Sequence, residues 1–512
     1  MKVTGLNCKS TFLYYLYLCE MKRITVIIAT LTLCFSCGEK KVDCPLSSPK
    51  FGTGLANPVL DHLFCADPTA IEHDGRLYVY GTNDHEQYQK ADTNTYEKIK
   101  TLAMMSTDDM ANWTYHGLIP TGEIAPWIIA SWAPSIISVP KADGSTLFSL
   151  YFSNSGWGVG VLQAKSPVGP WSSPLETSLI DQATESVKGS GAIFDPGAAV
   201  DENGDAWLSF GATQGWLAKL GPDLHSLETT PMKLPTPFHF EANELNYIGN
   251  TYVYTYNLDW TEHKPWTLSA DVPGICSMVS LKSRTPLDAS SWEYGGMYFK
   301  NPGLNGMGYG NNHTHIHKYQ GKWYLLYHLT GLLEPHLGAH GGFRSIYIDE
   351  IEVDETTGDI RECIPTHKGV SPIRNLDPYK VQSAATAAAT IGISFLQADE
   401  PGHMTAAVGT PSKEAAKPEK GILELRNVEF IEGGHSLTCR AAGKGRISFS
   451  LDSPDAPAFA TLSCSGASWY TETVSCTPAP GVHTLYITLS TDARLDTWQF
   501  NTSVPGNYNE DR

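Results

Sequence analysis

Phe194-Asp-Pro196, followed eight residues later by Gly204-Asp-Ala-Trp-Leu-Ser-Phe210, is one copy of a device repeated along this chain. Each copy joins a turn glycine or asparagine to a short aromatic strand. The others are Gly75-Arg-Leu-Tyr-Val-Tyr80, Gly144-Ser-Thr-Leu-Phe148, Asn250-Thr-Tyr-Val-Tyr254 and Gly321-Lys-Trp-Tyr-Leu-Leu-Tyr327. Eight or nine residues ahead of four of these turns stands a reactive polar residue: Asp67, Asp195, Glu241 or His313. In the remaining copy Trp132-Ala-Pro134 begins twelve residues ahead of its turn. Short strands rich in Tyr, Trp and Val and bounded by Gly, Asn and Asp, about four to each of five units, predict a five-bladed β-propeller over residues 56–376. A sandwich with coincidental hairpins would not keep the polar residues in step with the turns. Equivalent positions on radially arranged blades face one centre, so three carboxyls and a histidine are expected to meet there.

Composition agrees with an all-β chain of several domains. Its 512 residues include 46 Gly and 24 Tyr but only 18% charged residues, and a chain of this length can bury a large core. A formal charge of −18 with no basic stripe excludes a nucleic-acid partner, because phosphate binding needs clustered Lys and Arg.

The N-terminus reads as an export leader, residues 1–37. Met21-Lys-Arg23 supplies the positive start, Ile24 to Phe35 is a short apolar run, and Ser36-Cys37 ends it. Met21 opens a complete signal by itself and is expected to be the true start. The pattern resembles a bacterial lipoprotein signal, which implies a lipid on Cys37 and attachment to the outer membrane, at the cell surface or the periplasmic face. Residues 38–55 read as a polar linker. Seven of the eleven cysteines follow Cys37, an odd number with no metal-type CxxC pair. Cys464 and Cys476 are spaced to flank a hairpin, though the spacing alone fixes no bond.

Beyond Asp377 the texture changes. Ile422-Leu-Glu-Leu425, Ser436-Leu-Thr-Cys439, Arg446-Ile-Ser-Phe-Ser-Leu451 and Thr484-Leu-Tyr-Ile-Thr-Leu489 alternate with period two, as half-buried strands do. Residues 377–512 are therefore expected to form a separate β-sandwich, jelly-roll-like in outline.

Hydrolysing an acetal takes one protonated acid at the leaving oxygen and one carboxylate to activate water or attack. A third charged group that raises the acid's pKa helps both forms coexist at one pH. Asp67, Asp195 and Glu241 would satisfy that need. A carboxylate trio also suits calcium, which prefers oxygen ligands. The interspersed Trp and Tyr favour sugar, whose ring faces stack on aromatic rings.

Asn57-Pro-Val-Leu60, Ala66-Asp-Pro68, Trp132-Ala-Pro-Ser135, Ser166-Pro-Val-Gly-Pro-Trp171, Phe194-Asp-Pro196, Phe240-Glu-Ala242 and Asn312-His313 together resemble glycoside hydrolase family 43 in order and spacing. The resemblance implies an inverting glycosidase on a five-bladed propeller, with no cofactor required for the chemistry. It makes Asp67 the general base, Glu241 the general acid and Asp195 the group that tunes and orients the acid. It places His313 near the axis, where it can help hold a structural calcium, and sends Arg344 to the sugar hydroxyls; Trp132 would form pocket wall. His315 and His317 are expected at the surface. Glu244 stands where relatives have an aromatic, so it competes with Glu241 for the acid's place. The implied substrates are plant cell-wall polysaccharides losing α-L-arabinofuranosyl or β-D-xylosyl units. An endo-acting arabinanase and a non-catalytic surface glycan-binding protein are the alternatives. Val428-Glu-Phe430, Gly445 to Pro454, Gly481 to Tyr486 and Asp496 to Asn501 resemble a family 6 carbohydrate-binding module, for which Trp469, Tyr470 and Trp498 would offer a sugar platform.

Overall fold

The structure is a computed structural model that describes residues 47–433 and 435–502. The leader with Cys37, and Cys44, lie outside the described residues. Among the described residues no helix is long and apolar enough to cross a membrane.

Five antiparallel sheets follow one another along the chain and are the blades. Blade 1 is Ala66–His73, Arg76–Thr82, Leu102–Thr107 and Trp113–Ile119; blade 2 is Trp132–Pro140, Thr146–Ser153, Gly158–Ala164 and Ile180–Asp181. Blade 3 is Gly197–Val200, Ala206–Phe210, Trp216–Lys219 and Met232–Lys233. Blade 4 is His239–Ile248, Thr251–Leu258, Met278–Ser283 and Glu293–Phe299. Blade 5 has three strands, Thr314–Tyr319, Lys322–Thr330 and Arg344–Ile351, one fewer than the repeat predicts. The chain entering blade 1 takes the missing place. Val59 N–H donates to Ile346 O (2.8 Å), Cys65 N–H donates to Arg344 O (2.9 Å), and the Asn57 side chain bonds both backbone groups of Ile348. The ring is thus closed by its own beginning.

The aromatic strands are buried on both faces because each blade packs against two neighbours. Five apolar clusters fill the five gaps between blades. Tyr80 and Phe148 meet in one, Tyr151 and Leu208 in the next, Trp207 and Tyr254 in the third. Val253 and Leu325 meet in the fourth, and Leu326 and Val79 in the last. This burial explains why alternation with polar residues fails in the propeller strands yet holds in the C-terminal ones, whose outer face is wet.

In the C-terminal region one sheet bends back on itself around its own core. Its central strand, His435–Leu451, pairs with Gly481–Ser490 at one end and Ala493–Thr502 at the other, while Ala460–Cys476 covers its other edge. Two expectations fail here. Trp498 is only 1% exposed, edge-on to Phe449 and Phe500, because it shares the inward parity of Phe500; it is core and offers no platform. Cys464 and Cys476 lie on one strand rather than flanking a hairpin, and both are free and buried. The two regions are joined by backbone: Thr386–Ala387 adds a fifth strand to blade 1, and Asn112 bonds both backbone groups of Arg426. Residues ahead of the propeller pack here too, with Lys50 buried and Phe51 5.6 Å from the Tyr486 ring.

Candidate active site

In every blade the first strand starts, and the second ends, on the same face of the ring. Near that start, blades 1 to 4 each carry a residue in the left-handed region: Asp67 (φ 50°), Ala133 (φ 38°), Asp195 (φ 50°) and Ala242 (φ 61°). In blades 1, 2 and 4 the pairing with the second strand slips at this point. Such a bulge re-aims side chains and is common beside active sites. A left-handed backbone costs a non-glycine residue roughly 1–2 kcal/mol, so it must be held. Each N–H donates to a side chain of the preceding blade: Asp67 to His328 Nδ1 (3.2 Å), Ala133 to Thr82 Oγ1 (2.7 Å), Asp195 to Ser153 Oγ (2.8 Å) and Ala242 to Asp195 Oδ2 (2.7 Å). His328 Nε2 contacts Asn311 O (2.9 Å), which puts the ring proton on Nε2 and leaves Nδ1 to accept. Thr82 and Ser153 end their second strands, and His328 stands two residues before the end of its own. A polar residue closing an aromatic run was the available signal for them, and the sequence reading passed it over.

These bulges converge. Asp67, Asp195, Glu241, Trp132, His313 and Arg344 all line one pocket of about 100 Å³, and Tyr96, Phe194, Asn311 and His328 complete its wall. Glu241 stands one place earlier than the aspartates relative to the left-handed residue, yet its carboxyl reaches the same space. Glu244 does not: it is buried, its Oε2 lies 3.3 Å from His315 Nδ1, and it lines no part of the pocket. His315 is buried and His317 half-buried on the first strand of blade 5, their rings stacked at 5.5 Å, more enclosed than the surface position expected of them. A five-bladed ring leaves its innermost strands facing one another, so polar residues there pair with each other instead of with water.

The three carboxyls sit in different fields. Burial opposes ionisation of Asp67, but the Arg344 guanidinium overcomes it and holds the carboxyl well below the usual range. The contacts are Arg344 Nη1 to Oδ1 at 2.8 Å and Thr82 Oγ1 to Oδ2 at 2.7 Å. At Glu241 burial comes first, then Asp195 and Asp67, and together they raise its pKa well above the ordinary value against the pull of Arg344. Asp195 is pushed up to about 7 by burial and by Asp67, while the Ala242 N–H and the Ser153 hydroxyl favour its charged form. The Ala242 N–H and the Ser153 hydroxyl bias the pair so that the proton resides on Glu241. One pocket therefore holds a committed carboxylate and a committed acid.

Arg344 is less free than a sugar ligand should be. Its Nε and Nη2 donate to the two oxygens of Asp84, each at 2.8 Å, and its guanidinium lies 4.6 Å from the Tyr96 ring centre. Asp84 and Tyr96 were not singled out in the sequence; both sit in the long connection after the second strand of blade 1, where no periodic signal marks them. Burial pushes His313 down to about 4, and its Nδ1 faces Asp67 at 3.6 Å. Among the described residues no group of three or more His, Cys, Asp or Glu gathers around a point where a metal ion could sit.

Residues 55–357 match the glycosyl hydrolases family 43 model, more than half of the chain. The chain belongs to glycosyl hydrolase family 43. It is a glycosidase, acting on O-glycosyl bonds, and the family chemistry calls for no cofactor. Residues 419–502 match the family 6 carbohydrate-binding module. This family 43 chain is 32% identical to an arabinoxylan arabinofuranohydrolase of Bacillus subtilis (strain 168) over 525 aligned positions, covering 94% of this chain and 99% of that one. It is 29% identical to an arabinoxylan arabinofuranohydrolase of Paenibacillus polymyxa, across 89% of this chain and 75% of the relative. The crystal structure of a Bacillus subtilis family 43 arabinoxylan arabinofuranohydrolase in complex with cellotetraose superposes with a TM-score of 0.79 at 28% identity, covering 89% of this chain and 99% of that one.

Proposed function

We propose that this enzyme removes single α-L-arabinofuranosyl side units from arabinoxylan with inversion at the anomeric carbon. The observation that carries the reading is the pocket. It has room for about one sugar ring, with an ionised and a protonated carboxyl both on its wall. Asp67, held charged by Arg344, takes a proton from water as that water attacks the anomeric carbon. Glu241 delivers its proton to the departing glycosidic oxygen, and Asp195 keeps that proton in place beforehand. Inversion requires base and acid to stand far enough apart for the water between them. The names of the relatives support arabinose on a xylan main chain over xylose or an arabinan. A pocket too small for a continuous chain speaks against endo action.

Calcium takes six to eight oxygen ligands. His313 offers nitrogen, and the carboxylate it faces, Asp67, is already spent on Arg344 and Thr82, so these residues fit a calcium cage poorly and no step runs through one. Of the C-terminal candidates, Trp469 and Tyr470 stay partly exposed and are the residues we assign to glycan contact there. Export with a lipid on Cys37 is our reading of the leader, and Cys37→Ala should move the protein from the membrane fraction to the soluble one. The substrate is tested by incubating the protein with arabinoxylan, arabinan and linear xylo-oligosaccharides. Free arabinose from arabinoxylan, released first as the β anomer by NMR, is expected; xylose from the linear oligosaccharides with no arabinose from arabinoxylan would overturn it.

A further inference from the structure

The connection 409–419 joins strands Met404–Val408 and Lys420–Phe430 of the C-terminal sandwich and is rich in Lys, Glu and Pro, yet it reaches onto the propeller. Ser412 within it is only 6% exposed. Its Oγ donates to Leu337 O (2.8 Å), a carbonyl that also accepts from the Tyr88 hydroxyl. Lys413 N–H donates to that same hydroxyl (3.1 Å). The Lys413 ammonium lies 4.8 Å from the Tyr88 ring centre and donates to Ala91 O (3.1 Å) and Asp92 Oδ1 (2.7 Å). Gln89 Nε2 donates to Pro411 O (3.0 Å). Pro411, Ser412 and Lys413 thus form a strap over the helix Asp84–Lys90 and the end of the short helix Glu334–Leu337.

The strap bears on the pocket through the longer of these helices. Seven residues make too short a helix to stand alone, and no side-chain hydrogen bond caps its start at Asn83. Contacts from outside must hold it. Asp84 at its first position is fully buried, and besides the Arg344 guanidinium its Oδ2 accepts from Arg344 N–H (3.1 Å) and Asn94 Nδ2 (2.6 Å). Gln87, one turn on, brackets the loop that carries Tyr96: its Nε2 donates to Thr93 O (3.1 Å) and its Oε1 accepts from Lys98 N–H (2.8 Å). Tyr88 packs edge-on against Phe64 and Phe343, at 5.2 and 5.4 Å. Phe343 precedes Arg344, and Phe64 precedes Cys65, which donates to Arg344 O. A buried ion pair is favourable only where its geometry is well fixed, so a shift of this helix is felt at Arg344 and then at Asp67.

We propose that Ser412 and Lys413 are positioning residues for catalysis, setting through this helix both the Arg344–Asp67 contact and the Tyr96 wall of the pocket. The inference rests on the glycosidase reading above and adds a part for the C-terminal sandwich that needs no sugar contact. Neither residue lines the pocket. Loosening the strap lets Asp84 and Gln87 move together. The first displaces Arg344 from Asp67, which slows the chemical step; the second opens the Tyr96 wall, which weakens sugar binding.

The test compares the full chain with Lys413→Ala, and with Ser412→Ala and Lys413→Ala combined, on p-nitrophenyl α-L-arabinofuranoside, a substrate with no polymer to contact the sandwich. In the double variant kcat is expected to fall about tenfold and KM to rise about fourfold. A partly unfolded population would lower the apparent kcat alone, so the joint change separates positioning from lost stability. Lys413→Arg, which keeps a cation over Tyr88, should hold both constants within about twofold of the unmodified chain. Lys413→Ala removes one partly wetted side chain and leaves Ser412 in place. It should show the same two changes at smaller size, about threefold in kcat, even where the double variant does not fold. A folded Lys413→Ala with both constants unchanged, or a fall in kcat alone that tracks the folded fraction seen by circular dichroism, would overturn the positioning role while leaving the glycosidase reading intact. Inactivity of the unmodified chain on this substrate and on arabinoxylan would overturn both.

Discussion

Arg344→Gln is the change that probes most of this site at once. The guanidinium lies 2.8 Å from Asp67 and pairs both oxygens of Asp84, and all three side chains are nearly sealed from water. With charge centres about 4 Å apart and an effective dielectric near 20, its attraction for Asp67 is about 4 kcal/mol, equivalent to about 3 pH units. Without it, the burial that opposes ionisation is met chiefly by the Thr82 hydroxyl on Oδ2. The acid limb of kcat/KM should then move up by about 2–3 pH units, toward the ordinary aspartate range. The sign for stability follows from the lowered folded-state pKa. The pair's contribution is present above the unfolded value and is lost as pH falls through the folded one. The variant should therefore be about 3–5 kcal/mol less stable near neutrality, as expected when one partner of a buried pair is removed. That gap should narrow on acidification. Urea unfolding at several pH values, beside a pH–rate profile on the aryl arabinofuranoside, reads both effects. A variant whose acid limb stays where the wild-type limb lies would refute the claim that Arg344 keeps Asp67 charged.

Glu241→Gln and Asp67→Asn should each lower kcat by about 10²–10⁴-fold, the range for loss of a positioned acid or base. The Glu241 loss should shrink on substrates with better leaving groups and the Asp67 loss should not; equal losses across leaving groups would contradict the division of roles. Asp195→Asn removes a negative neighbour of Glu241, so the alkaline limb of the rate profile should shift to lower pH; a limb that moves upward would contradict the coupling. Trp498→Ala should destabilise the C-terminal sandwich by about 3–5 kcal/mol through the cavity it leaves, seen as a separate or earlier melting transition. Unchanged melting would mean Trp498 is not core.

The ring was legible because its repeat is carried by residues with few substitutes: a turn glycine, an aromatic run, and a polar residue at fixed offset. That offset picked out Asp67, Asp195 and, despite the one-place difference at Ala242, Glu241, three side chains that line one pocket. Hydrogen bonds between blades were not legible, since Thr82, Ser153 and His328 meet the bulges of blades 2, 3 and 1 only once the strands are arranged in space. His315 and His317 were misplaced for a related reason: alternation along one strand does not say that both of its faces are enclosed. Trp498 failed differently. An aromatic in a sugar-binding module suggests a platform, but strand parity with Phe500 had already committed it to the interior.

Closure of the wheel by the segment ahead of blade 1 has a temporal consequence. Asp67 is made early, yet the arginine that fixes its charge and the histidine that takes its N–H come from the final blade. During synthesis Asp67 must wait, more than two hundred residues long, for its partners to emerge. Fragments that stop short of blade 5 should therefore be inert toward glycosides rather than weakly active, and the enzyme should gain its activity in one step as the circle locks.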